Sequence, residues 1–159
     1  MSERAPAPRV LVLDTSVAVK FYVPEELREE ALNILAAAES GELEFVAPST
    51  MQPEYFNALW WKHRHGELSR EEVRSGWEQL IADRPASLYP PEDLMPRAVQ
   101  LAFDTGAIVY DALFLALAED AETVMVTSDG KLLRTLDGTT YADFAHSLSD
   151  AANLLPDAS

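Results

Sequence analysis

The sequence predicts an α/β domain of three layers, α/β/α, with a mainly parallel and roughly five-stranded sheet at its centre. Three observations carry that prediction. Short apolar or β-branched runs of the kind buried on both faces recur along the chain, and Arg9–Leu13 is the clearest. Longer segments of helical spacing separate them, and such alternation builds βαβ units around a parallel sheet. The 159 residues, 48% hydrophobic and 25% charged, suffice for one packed core and are too apolar for disorder.

The elements follow in order. The first strand, 9–13, stops at Asp14. Pro24 to Glu39 places Leu27, Ala31, Ile34, Leu35 and Ala38 on one helical stripe, with acids in the first turns and Gly41 just past the end. Leu43 to Ala47 reads as a second strand. Thr50 is the expected cap of the next helix, because it sets Pro53 in the first turn, where a missing N–H does no harm. That helix carries Glu54. The polar stretch His63 to Ser69 turns the chain into a helix ending near Asp83, and Ser87 to Tyr89 is a third strand. Pro91 to Thr105 is helical, Gly106 breaks it, and Asp111 opens a buried helix through Ala118. Thr123 to Val126 is a strand, Asp129 to Leu136 a short helix, and Thr139 to Phe144 an edge strand. Residues 1–8 read as a disordered extension and 145–159 as a short helix or tail.

Twelve Lys and Arg stand against 27 Asp and Glu, a net charge of −15. Such a surface repels polyanions at long range, so any nucleic acid must be held by metal ions, a few placed cations or a partner. There are no cysteines, which excludes disulfides, thiolate metal sites and cysteine nucleophiles. No apolar run approaches the roughly 18 residues of a membrane span, and the expected location is the cytoplasm.

Asp14 and Asp129 each follow a strand, Asp111 begins a helix, and Glu54 sits near the start of another. In open parallel sheets the crevice outside the carboxyl ends of the strands binds ligands, so these acids are expected to converge. Any one of them alone is adequately explained as a cap or a turn residue. Four together are not, because each carboxylate raises the others' pKa, and the cluster needs a cation. A hard cation such as Mg²⁺ takes oxygen ligands and bridges to phosphate, which points to phosphodiester hydrolysis by metal-activated water.

The wording around these acids carries a resemblance. Val12-Leu13-Asp14-Thr15-Ser16-Val17 resembles the opening motif of PIN domains, and Ala47-Pro48-Ser49 with Glu54 resembles the second. Tyr110-Asp111-Ala112-Leu113-Phe114-Leu115-Ala116-Leu117-Ala118 is similar to the third motif, and Val126-Thr127-Ser128-Asp129 to the fourth. Their order implies a PIN-like nuclease domain over residues 9–144 with the quartet Asp14, Glu54, Asp111 and Asp129, Mg²⁺ or Mn²⁺, and single-stranded RNA as substrate. The short chain resembles a VapC toxin, which implies an endoribonuclease, a small antitoxin partner and a homodimer. In the family, the hydroxyl positions matched by Thr15, Ser16 and Thr127 orient the acids or bound water.

Other groups remain open in the sequence. Lys20 is a candidate phosphate contact or a solvated lysine. Lys62, His63, Arg64 and His65 beside Trp60 and Trp61 form either a base-stacking surface or a polar helix end next to core tryptophans. Lys131 and Arg134 either join an RNA path or decorate a short helix. The apolar helices near residues 24–61 are expected to form the dimer or antitoxin surface. A haloacid-dehalogenase site would need an Asp where Ser16 stands, and no Gly-rich phosphate loop occurs. A flap-type DNA nuclease would need long insertions, and a PIN-like module that only binds would have no reason to keep four repelling acids.

Overall fold

The computed structural model describes residues 9–155. Five strands, β1 (Arg9–Leu13), β2 (Leu43–Pro48), β3 (Ala86–Tyr89), β4 (Met125–Thr127) and β5 (Ala145–Ser147), form one sheet in the order β3-β2-β1-β4-β5. Every pairing is parallel. Strand order therefore reverses between β1 and β4, and the crevice at such a switch point lies beyond the carboxyl ends of those two strands.

Seven α-helices cover the sheet: α1 (Thr15–Tyr22), α2 (Arg28–Glu39), α3 (Met51–Arg64), α4 (Arg70–Asp83), α5 (Pro91–Thr105), α6 (Val109–Asp120) and α7 (Gly130–Leu136). Right-handed crossovers put the helices after β1 and β2 on one face and those after β3 and β4 on the other. Helix α1 packs on α2 and α3, whereas α6 packs on α5 and on β1 and β2. The hydrophobic centre is α6, where Ala112 to Ala118 are all buried, so that its helical period is invisible as a stripe. Gly106, at φ 82°, closes α5 in the left-handed conformation that the sequence break anticipated.

Three expectations need correction. Residues 15–22, assigned to no element from sequence, form α1. Their β-branched and aromatic character hides a helix that is buried nearly all round. The helix expected from Pro24 begins only at Arg28, because Leu27 adopts the left-handed region at φ 62° and interrupts it. The edge strand expected at Thr139–Phe144 lies at Ala145–Ser147 instead. The Thr139 hydroxyl accepts from the Tyr141 amide and helps turn the chain into a 3-10 helix at Ala142–Phe144. Beyond β5 a second 3-10 helix, Leu148–Leu154, buries Leu148, Ala151 and Leu154. The extension expected at residues 1–8 lies outside the described residues.

Helix α3 carries Glu54 and is held firmly. The neighbouring Tyr55 is fully buried, and its hydroxyl donates to the Gly76 carbonyl of α4 at 2.7 Å. Ser69 and Glu72 close α4 with a reciprocal capping box. Thr50 does precede α3, but its side chain caps nothing and its hydroxyl is buried without a partner. Among the described residues no single helix is long and apolar enough to cross a membrane.

Candidate metal centre

The four acids arrive from four elements. Asp14 ends β1 and caps α1, Glu54 lies in the first turn of α3, Asp111 in the first turn of α6, and Asp129 follows β4 and caps α7. All four are positioned by helix starts, where backbone N–H groups favour negative charge. Asp14 sits at the switch point itself and is the most enclosed, at 6% exposure.

Hydroxyl groups orient two of them, Asp14 and Glu54. Thr127 donates to Asp14 Oδ2 at 2.8 Å, and the Ser16 hydroxyl donates to the same oxygen. Thr127 in turn accepts the Asp129 amide at 3.0 Å, and Ser16 accepts the Ser128 amide at 3.0 Å. The loops after β1 and β4 are thus stitched together through two side chains. On the other flank, Thr15 donates to Glu54 Oε2 at 2.8 Å. All three hydroxyls expected from sequence contact an acid, and Ser128 joins the network without having been anticipated. Its only signal was its place beside Asp129.

Repulsion connects the quartet. Burial pushes the Asp14 carboxyl up, against the hydrogen bonds from Ser16 and Thr127, and the charge of Asp129 adds to the rise. Burial lifts Glu54 to about 7, opposed by Thr15 and reinforced by Asp14 and Asp111. Burial also lifts Asp111 to about 6, with Asp14 and Asp129 contributing and Lys131 opposing. Burial is thus the largest cause of all three rises, and the charges of neighbouring acids add to each. Among the described residues no three acidic or histidine side chains stand close enough to form a ready-made metal cage. The donors are carboxylates and hydroxyls alone, a set suited to a hard, partly hydrated cation that retains several waters.

The PIN domain family profile matches residues 11–137, from inside β1 to the end of α7. The chain belongs to the PIN domain family. Within that stretch lie all four acids and the hydroxyls that hold them. This PIN domain is 32% identical over 123 residues to Ribonuclease VapC3 of Pyrobaculum aerophilum, covering 77% of this chain and 91% of that protein. The crystal structure of PAE2754, also from Pyrobaculum aerophilum, superposes with a TM-score of 0.63 at 18% identity, over 93% of this chain and 89% of the other. A toxin–antitoxin complex from Klebsiella pneumoniae superposes with a TM-score of 0.57 at 13% identity, over 87% and 97%. These two structures share the fold.

Lys20 is not where the sequence reading put it. It is buried and donates to Glu25 Oε2 at 2.9 Å, and Glu25 also binds Lys62 at 2.7 Å. Those contacts tie the end of α1 to α3 and leave no ammonium for the crevice. Trp60 and Trp61 are not core residues either, being 39% and 52% exposed.

The raised carboxyls make a stability prediction. Their folded-state pKa values lie above the unfolded values, so the stabilisation is present below the ordinary carboxylate range and is lost as pH rises through about 6 to 7. In chelator, melting temperature is expected to fall between pH 5 and pH 8. At pH 8, Glu54→Gln should raise it by roughly 3–6 °C, for about 1–2 kcal/mol of relieved repulsion and desolvation. A flat profile in differential scanning calorimetry would count against the cluster.

Proposed function

We propose that this PIN domain is an endoribonuclease of the VapC toxin type, cutting single-stranded RNA with Mg²⁺ or Mn²⁺. The observation that carries the reading is the quartet itself. Four carboxylates come from four elements; hydroxyls orient Asp14 and Glu54, Asp14, Glu54 and Asp111 are held above their ordinary pKa, and among the described residues no ion pair neutralises any of the four. A site that disfavours its own charged state in this way suits a cation and the phosphate it brings. The similarity to Ribonuclease VapC3 supports the reading from sequence.

The residues divide the work by position. Asp14 has Oδ2 occupied by Thr127 and Ser16, which leaves Oδ1 to face a cation. Asp111 and Asp129 supply the adjoining carboxylates. Glu54 has Oε2 held by Thr15, so Oε1 is placed to take a proton from the attacking water. When bound, Mg²⁺ or Mn²⁺ neutralises the acids, lowers the pKa of water and stabilises charge on the phosphate oxygens. Water adds to phosphorus as the bond to the leaving oxygen breaks, and that oxygen takes up a proton. A module that merely binds RNA or protein would gain nothing from this arrangement.

As a toxin, the protein would pair with a small antitoxin and act in the cytoplasm, where its RNA substrate is made. The surface best suited to the antitoxin is the cavity of about 650 Å³ between α3 and α4, lined by Phe56, Trp60 and Trp77 and rimmed by Arg70 and Arg74. It lies on the opposite side of α3 from the flank carrying Glu54, Trp61 and His65, by the 100° spacing of successive helical residues. For the homodimer, the exposed stripe Met95, Val99 and Phe103 on α5 is the apolar face a second copy would cover, with Phe103 87% exposed.

Asp14→Asn and Asp111→Asn should each reduce cleavage of single-stranded RNA at least about a hundredfold, close to 3 kcal/mol of barrier. Cut-site mapping in total RNA after induction of parent and Asp14→Asn checks this, and unchanged cleavage patterns would remove the assignment. Sedimentation velocity should show a dimer that Phe103→Glu converts to monomer and Trp60→Glu leaves intact. A monomeric parent would exclude the α5 interface.

A further inference from the structure

With Lys20 locked in an ion pair, the crevice needs another source of positive charge if RNA is to approach a protein of net charge −15. Lys62 bridges Glu25 and Glu67, and Arg97 is paired to Glu119 at 2.6 Å. Lys131 and Arg134 differ: both are exposed, and among the described residues neither joins an ion pair.

Both stand beside the acids. The Lys131 amide donates to Asp129 Oδ1 at 3.0 Å, which anchors its backbone against that carboxylate. Its charge also acts on Asp111, as the sole cation among the groups shifting any of the three raised carboxyls. Arg134 lies one turn further along α7, and its guanidinium folds back over the start of the helix. Nη1 comes within 3.1 Å of the point a Cβ on Gly130 would occupy. The guanidinium therefore lies directly over the residue next to Asp129.

We propose that Lys131 and Arg134 form a phosphate clamp on the Asp129 flank, with the Arg134 fork lying across Gly130. The planar guanidinium grips a phosphodiester through two parallel N–H bonds, while the ammonium contributes a point charge nearer the cation-binding acids. The clamp would hold the backbone of single-stranded RNA next to the scissile phosphate without reading its bases. It rests on the ribonuclease reading and adds to it the residues that hold the substrate.

Binding of a short single-stranded RNA to the chain carrying Asp14→Asn, followed by fluorescence anisotropy across a salt series, tests the clamp apart from cleavage. Lys131→Ala and Arg134→Ala should each weaken binding roughly threefold to tenfold and flatten the slope of log affinity against log salt by about 0.7. Lys131→Arg should restore the slope. Arg84→Ala removes the same charge from the far end of the sheet, just before β3, and should leave the slope unchanged. Melting curves matching the parent confirm that the exposed substitutions have not altered folding. Slopes for Lys131→Ala and Arg134→Ala no flatter than for Arg84→Ala would overturn the clamp. If the parent still cuts RNA, the ribonuclease reading survives that result. A parent that neither binds nor cuts single-stranded RNA would overturn both.

Discussion

The fold places one carboxylate, Asp14, where solvation is poorest, and compensates with hydrogen bonds to a single oxygen. Much of the surrounding architecture follows from that constraint. A buried carboxylate without donors is costly, and hydrogen bonds to its charged form offset part of the cost. Thr127 supplies one bond from the end of β4 and Ser16 the other from the first turn of α1, so the acid also serves as the pin that joins the ends of β1 and β4. The switch point of the sheet and the centre of the acidic site are the same place because the same residue makes both.

The rest of the quartet extends this logic outward. Asp111 is carried by a helix buried through seven consecutive residues, which makes its position as rigid as the core. Glu54 stands on a helix fixed by the Tyr55 hydroxyl, and Thr15 holds it toward Asp14. Asp129 spends one oxygen capping α7, accepting from the Lys131 and Leu132 amides, and is the least committed to the centre. The charge problem posed by a strongly acidic chain is then confined to a small area. Most of the surplus acid is solvated surface, and what matters for substrate is whether a few cations sit within a contact distance of the crevice.

The sheet and the acids were legible in the sequence because each strand ends where an acid or a turn begins, and buried parallel strands read as unbroken apolar runs. The four ordered motifs carried the family. Helix α1 was not legible, since a helix enclosed on nearly all sides loses its amphipathic period and its Val and Phe residues mimic a strand. Strand β5 was displaced by a few residues because the Thr139 turn depends on a local hydroxyl contact that periodicity does not report. Lys20 was misplaced for a different reason. Its spacing from Asp14 suggested reach toward the site, but its partner Glu25 lies in the turn after α1, a contact visible only once α1 is known to be a helix. The placement of the Arg134 guanidinium over Gly130 needed coordinates altogether.

Glu54 and Asp111, lifted to about 7 and about 6, would give up protons as a cation entered the proposed site. Calorimetric titration of Mn²⁺ at pH 6, repeated in buffers of different ionisation enthalpy, measures that coupling directly. The account expects saturable binding with release of about one proton per site, diminishing toward pH 8 and lost with Asp14→Asn. Binding without proton release, or no difference between the parent and Asp14→Asn, would contradict it.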